Sequence, residues 1–304
     1  MRLLLCSDPL SPRLPDSAFR DELDAIESVG LDFDLLDLEA LLAGESSRAI
    51  RRLSSPSVGM LVYRGWMMDV ASYENLARAL ASVDGSLIND PAAYRLAHHL
   101  PSAYAALEGS TPRTVWVDGG APFDMGQIHS VLRAFGDGPV IVKDFVKSRK
   151  HEWEEACFIP AADDRAAVER VVGTFVERQG KDLAGGLVLR EFVQLEQVGR
   201  HPRSGLELGR EYRLFYLDGR LLIGGRYWED ADYSADFPTE PFAVLAGKIA
   251  SRFISMDIAK TADGNWIVIE VGDGQVSGLQ TIDGRDFYGL LATRLAEHQP
   301  ATTP

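Results

Sequence analysis

Cysteine is scarce in this 304-residue chain: there are two, Cys6 and Cys157, and their separation suits no metal site. Nothing in the pattern suggests a disulfide framework, so a reducing, cytoplasmic setting is the expectation. Cys6 falls in an apolar stretch and is expected as a small buried residue. Long apolar runs are missing too, and none approaches the length of a membrane span. The opening MRLLLC is too short, and too soon interrupted, for a signal peptide. There is no internal repeat and no low-complexity region. Basic residues are the minority, with 31 Lys and Arg against 45 Asp and Glu, a net charge of -14. That balance argues against a nucleic-acid partner or an anionic membrane surface, while leaving room for a local basic cleft. No Gly-rich run ends in Gly-Lys-Ser/Thr, so a Walker P-loop is excluded. The two Cys and six His are scattered and form no nucleophilic triad.

What is present is ordinary for a globular chain with a real core: 46% hydrophobic and 25% charged residues, enough for one large domain or two to three smaller ones. Residues 1–110 alternate strand and helix. Leu3–Cys6, the alternating Leu31, Phe33 and Leu35, Val58–Tyr63 and Leu87-Ile88 read as strands. Phe19, Leu23 and Ile26, capped by Asp16 or Ser17 and stopped by Gly30, read as a helix, as do Tyr73, Leu76, Leu80 and Val83. Asp90-Pro91 is a cap followed by Pro in the first helical position. The alternation predicts an α/β unit with a small, mostly parallel sheet. Arg64 and Trp66 follow the end of a strand, where such sheets bind ligands, although a surface Arg beside a half-buried Trp would look the same.

Further on, Thr114–Val117 is a strand, and Met125, Ile128, Leu132 and Phe135 mark a helix. Val140–Lys143 is a β-branched strand that runs into a lysine. Lys147, Ser148, Arg149 and Lys150 follow, and Trp153–Ile159 reads as the returning strand. A lysine leaving a strand beside a basic connection can clamp phosphate, or can be a solvated hairpin tip. Leu187–Val193 is another strand. Two Asp-Gly pairs then mark hairpins, because those residues supply the backbone angles of a tight turn. Counting outward from Asp218-Gly219 places Glu211 opposite Arg226 and Arg213 opposite Gly224. A Glu211–Arg226 ion pair would leave Arg213 as the group available for phosphate. The glycines at 224 and 225 would admit a ligand close to the backbone. Counting from Asp263-Gly264 places Asp257 opposite Glu270. Facing carboxylates about 5 Å apart repel, and no local Lys or Arg lies on that face. Either a hard cation such as Mg²⁺ joins them, or the acids are solvated or neutralised by a distant Arg. The following GDGQVSGL suits an anionic group through its exposed backbone.

The segments YRGW, VIVKDFVKSRKHEW, REYRLFYLDGR and IEVGDGQVSGL occur in an order that resembles the ATP-grasp superfamily, and within it the R2K clade of short bacterial and phage proteins. The resemblance covers most of the chain. It implies an α/β (α+β) ATP-grasp fold: a pre-ATP-grasp domain over 1–110, a small lobe or lid over 111–185, a large lobe with the metal site over 186–297, and a flexible tail over 298–304. It implies ATP and Mg²⁺ as cofactors. Lys143 matches the strand lysine on the α- and β-phosphates, and Lys147 lies in the loop over the phosphates, which here is not Gly-rich. Arg190, Glu191, Phe192 and Val193 match the adenine-binding segment, with Glu191 or Glu196 on the ribose. Arg213 matches the arginine on the transferred phosphate, with Arg226 beside it. Asp257 and Glu270 match the magnesium ligands. Many relatives carry Asn at the position of Gly272, for which Asp273 or water would substitute. Arg226, Tyr227, Gln275 and Ser277 would flank the acceptor. The implied activity is an ADP-forming ligase that joins small-molecule carboxylate and amine substrates, amino acids or peptides, through an acylphosphate. A small-molecule kinase and a non-catalytic nucleotide-binding protein are the alternatives.

Overall fold

The computed structural model describes residues 2–53, 59–202, 205 and 207–297. The expected strand start at Val58 and the expected tail at 298–304 lie outside them. The described residues form a mixed α/β fold built on three four-stranded sheets. The first contains β1 (Arg2–Cys6), β2 (Phe33–Leu36), β3 (Gly59–Arg64) and β4 (Gly85–Leu87), all parallel in the order β2-β1-β3-β4. Two of its helices, Val70–Ala81 and Pro91–His98, start where Asp side chains accept otherwise orphaned backbone N–H groups. Asp69 accepts from Ser72 at 2.8 Å, and Asp90 from Ala93 at 2.8 Å with Pro91 next to it.

The second sheet contains β5 (Thr114–Asp118), β6 (Val140–Asp144), β7 (Phe158–Ile159) and β8 (Gly186–Glu191), antiparallel in the order β5-β8-β6-β7. Gly186–Glu191, which follows the boundary expected at 185/186, is an inner strand of this sheet, between β5 and β6. The return strand is short. Trp153–Ala156 turns helical, with Trp153 stacked on Phe158 at 5.1 Å, so only Phe158-Ile159 pairs. This sheet and the helix Arg165–Gln179 enclose a core of their own, with Val142, Val171, Phe175 and Leu189 fully or almost fully buried.

After the two-stranded β9 (Gln197–Arg200) and β10 (Glu207–Gly209), the third sheet contains β11 (Glu211–Leu217), β12 (Arg220–Arg226), β13 (Phe253–Lys260) and β14 (Trp266–Asp273), in the order β12-β11-β13-β14. Tyr212, Leu214 and Tyr216 face one side, onto a core that includes Ala103 and Leu107 of the helix Leu100–Leu107. On the other side Phe215 and Leu217 pack with Phe287 and Leu291 of the helix Gly284–Glu297 and with Leu3 and Leu5 of β1. Glu211 and Arg213 share that second side at the open end of β11.

Both hairpins depart from a simple count. Asp218 and Gly219 adopt φ of 50° and 73°, the paired positive angles of a tight turn. A bulge between Phe215 and Tyr216 then shifts the register, so Tyr212 faces Arg226 and Arg213 faces Gly225. In the second hairpin Thr261 bonds back to Asn265, making a three-residue connection rather than two. That moves the register by one, and a bulge beside Asp257 moves it back. Asp257 faces Glu270 after all.

Candidate active site

The second and third sheets meet at charged groups. Lys143, at the end of β6, is buried, and its Nζ lies 2.6 Å from Glu270 Oε1 on β14. Arg213 on β11 faces Asp257 on β13 and forks onto it, Nε to Oδ1 at 2.8 Å and Nη2 to Oδ2 at 2.7 Å. Its Nη1 donates to the Gly278 carbonyl at 3.0 Å. The two facing carboxylates are therefore neutralised by two cations, one from the neighbouring strand and one from the other sheet. Burial pushes the Asp257 carboxyl up against the pull of Arg213. Glu270 is only partly withdrawn from water, and Lys143, with Arg190 and Arg213, outweighs that and holds it below its ordinary range.

The loop after β6 is shaped by Asp144. Its Oδ1 accepts from the N–H groups of Val146 at 2.7 Å and Lys147 at 2.6 Å, and its Oδ2 from Gln179 at 2.8 Å. The turn leaves Lys147 exposed. Arg149 is engaged by Glu152 and Gln179 and belongs to the scaffold.

The segment after β8 is also engaged. Arg190 is buried and donates to Thr111 Oγ1 at 2.7 Å and to the Val268 carbonyl at 3.3 Å, bridging the two sheets. Burial lowers its guanidinium to about 10, opposed by Glu270. The Glu191 and Phe192 N–H groups go to the carbonyls of Arg113 and Pro139, and the Phe192 ring packs on Trp153 and Phe158. Val193 continues the segment towards Glu196. Glu196 is held by Lys260 at 2.8 Å and Arg210 at 2.7 Å, which lower its pKa.

Three expected residues do not join the cluster. Arg226 shares the face of Tyr212, opposite to Arg213, and pairs with Asp232 at 3.1 Å; the bulge in β11–β12 is the reason. Asp273 alternates to the far side of β14 from Glu270. It is fully buried, accepts from Asn89 at 2.6 Å and from the Gln275 backbone at 2.9 Å, and burial pushes it up to about 6. Gln275 is likewise buried, between Tyr63 and Tyr73. Among the described residues no group of three or more His, Cys, Asp or Glu gathers as a metal cage. A side chain at Gly272 would meet Ser255 Oγ at 2.8 Å and Ser277 Oγ at 3.1 Å, a hydroxyl pair that occupies the space. Gly224 and Gly225 admit Phe237 and Ile282 rather than a ligand.

Two residues near the cluster carry roles that the sequence does not signal. His98 stacks on Tyr94 at 4.8 Å within electrostatic reach of Glu270, Lys147 and Lys143. Burial, then His99 and the lysines, lower its imidazole to about 4. Arg64 is fully buried, and its guanidinium grips Glu22 at 2.8 Å and the carbonyls of Gly274 and Ser277 at 2.8 and 2.9 Å. It is thus a clasp between β3 and the loop after β14, not a surface arginine.

The fold has known counterparts. The chain aligns with a RimK domain protein ATP-grasp from Sphaerobacter thermophilus DSM 20745 at 19% identity and TM-score 0.57, covering 96% of this chain and 98% of that one. D-cycloserine synthetase DcsG aligns at 18% identity and TM-score 0.58, covering 97% and 100%. The ATP-grasp ligase PsnB, solved with its minimal precursor, Mg and ADP, aligns at 14% identity and TM-score 0.56, covering 97% of each chain. A search of curated proteins finds no match. A family model for the ATP-grasp domain of R2K clade family 3 matches residues 134–291, more than half of the sequence and all four residues of the charged cluster. The chain belongs to the ATP-grasp domain family, R2K clade family 3.

Proposed function

We propose that the protein is an ADP-forming ligase that joins a carboxylate to an amine, an amino acid or peptide, through an acylphosphate. The observation that carries this is the cluster Lys143, Glu270, Arg213 and Asp257, in which two sheets bring two hard-oxygen acids and two cations together. Phosphoryl transfer needs little beyond positioning and neutralisation of charge, and these are the groups for it. The relatives add support: PsnB is called a ligase and was solved with Mg and ADP, and DcsG is called a synthetase.

The acids fit Mg²⁺, which takes one or two protein carboxylates and fills its remaining positions with phosphate oxygens and water. Asp257 and Glu270 would hold it, and bound beside ATP it would neutralise the phosphate oxygens. The protein's own part is electrostatic. Lys143, released from Glu270, binds the α- and β-phosphates. Lys147 covers them from the loop, and Arg213 steadies the transferred phosphoryl group. The segment Arg190–Val193 and Glu196 face the base and ribose. The substrate carboxylate attacks the γ-phosphorus, and the amine then displaces phosphate from the acylphosphate. No protein nucleophile is required, in keeping with Cys6 and Cys157, both buried, with thiols pushed up, Cys157 to about 11.

The cavity beside Glu270 and Arg190 measures about 10 Å³, room for roughly one water. For Lys143 of the β5-β8-β6-β7 sheet to reach phosphate, the Lys143–Glu270 pair must part. The self-contained core of that sheet suits it to move as a unit.

Incubation with ATP, Mg²⁺ and pooled amino acids, followed by ADP, tests the proposal. ADP release that needs both a carboxylate and an amine, with hydroxamate formed when hydroxylamine replaces the amine, is the expected result. ADP release with a stable phosphorylated product and no role for the amine would replace the ligase by a kinase.

A further inference from the structure

Beyond Arg213, the open end of β11 carries a carboxylate that phosphoryl transfer does not use. Glu211 Oε1 accepts from the Trp228 indole N–H at 3.1 Å. The turn that carries the indole is tied down as well. Tyr227 N donates to the Glu211 carbonyl at 3.0 Å, and the Tyr233 hydroxyl donates to the same carbonyl at 2.6 Å. The N–H groups of Tyr227 and Trp228 donate to that hydroxyl at 3.0 and 3.3 Å. The two rings stand 4.8 Å apart at 66°, edge to face, forming a corner with the acid at the N–H edge of the indole.

A cation already sits at this corner. Lys150 of the lid loop places its Nζ 5.6 Å from the Trp228 ring centroid and 5.9 Å from that of Tyr227. Two aromatic faces and a carboxylate are the groups that recognise an ammonium. Their charge is wrong for the other reactants, because a triphosphate or a carboxylate would be repelled by Glu211. The location suits the attacking group: the Arg213 guanidinium lies 5.0 Å from the other part of the corner, the Tyr227 ring, and itself holds Asp257.

We infer that Glu211, Tyr227 and Trp228 form the subsite for the ammonium group of the amine substrate, and that Lys150 is its stand-in while the substrate is absent. The inference rests on the ligase reading above and names the form in which the amine enters. Burial pushes the Glu211 carboxyl up to about 7, with Lys150 as the leading charge that pulls it back, so the corner is best satisfied with a cation in it. Arrival of the amine displaces Lys150 and frees the lid loop to turn to the phosphates.

Ligand-observed NMR titration of the full chain with n-butylammonium, and with 1-pentanol as its neutral counterpart, tests this. The amine is expected to bind about tenfold tighter than the alcohol. Lys150→Ala, which removes the internal competitor, tightens the amine at least about threefold, whereas Glu211→Gln and Trp228→Leu each weaken it by about tenfold. Equal binding of amine and alcohol overturns the inference, as does an amine affinity indifferent to Lys150→Ala and Trp228→Leu. Titration of wild type with Mg·ADP separates the two levels. Amine binding lost while Mg·ADP binds removes the subsite alone, whereas failure of Mg·ADP removes the ligase reading on which the subsite rests.

Discussion

Arg213 and Lys143 each neutralise one acid of the cluster, yet their removal should differ sharply in its effect on stability. Arg213 and Asp257 are 11% and 8% exposed, so Arg213→Met strands a buried carboxylate that already lies above its ordinary pKa range. Breaking such a pair costs about 3–5 kcal/mol, most of it the penalty on the partner left behind. Lys143 is 8% exposed but Glu270 is 42% exposed, so Lys143→Met leaves an acid that water can reach. The expected cost there is about 1 kcal/mol or less. In thermal unfolding the first variant should fall by roughly 6–12 °C and the second by no more than about 4 °C. Urea titration followed by tryptophan fluorescence provides the free energies. Arg213→Met combined with Asp257→Leu removes both charges and should recover at least half of the loss. If Arg213→Met proves as mild as Lys143→Met, or the double variant recovers nothing, the buried-pair account of the cluster is wrong.

Other outcomes follow from single residues. His98 has its folded pKa at about 4 against 6.5 in the unfolded chain, so between those values the unfolded chain binds the extra proton and stability falls as pH falls. NMR should find the His98 ring neutral at pH 5.5, and His98→Gln should remove about 1–3 kcal/mol of that acid-side loss. Gly272→Asn should destabilise by about 1–3 kcal/mol through collision with Ser255 and Ser277, and should be better tolerated with Ser255→Ala and Ser277→Ala. Arg64→Met should cost about 3 kcal/mol or more by urea titration, since it strands Glu22 and the carbonyls of Gly274 and Ser277.

The parallel sheet over residues 2–87 was legible because alternation of short apolar strands and capped helices is a local pattern. Asp257 opposite Glu270 was legible for a subtler reason: a longer turn and a bulge cancel. The same count failed for Glu211 and Arg226, because a bulge at Phe215-Tyr216 leaves no trace in composition. Burial depends on distant packing, and so the count could not show that Asp273 turns away to Asn89, or that Arg64 is a clasp. Nor could it show that Lys143 crosses from another sheet to Glu270. That contact joins residues 127 positions apart, and only the meeting of two sheets creates it.

Calorimetric titration of Mg·ADP into wild type and into Asp257→Asn/Glu270→Gln tests the central claim most directly. Wild type should bind, and the double variant should lose at least about tenfold in affinity together with the Mg²⁺ dependence. Equal affinity and equal Mg²⁺ dependence in the two proteins would contradict the placement of the nucleotide and its metal at this cluster.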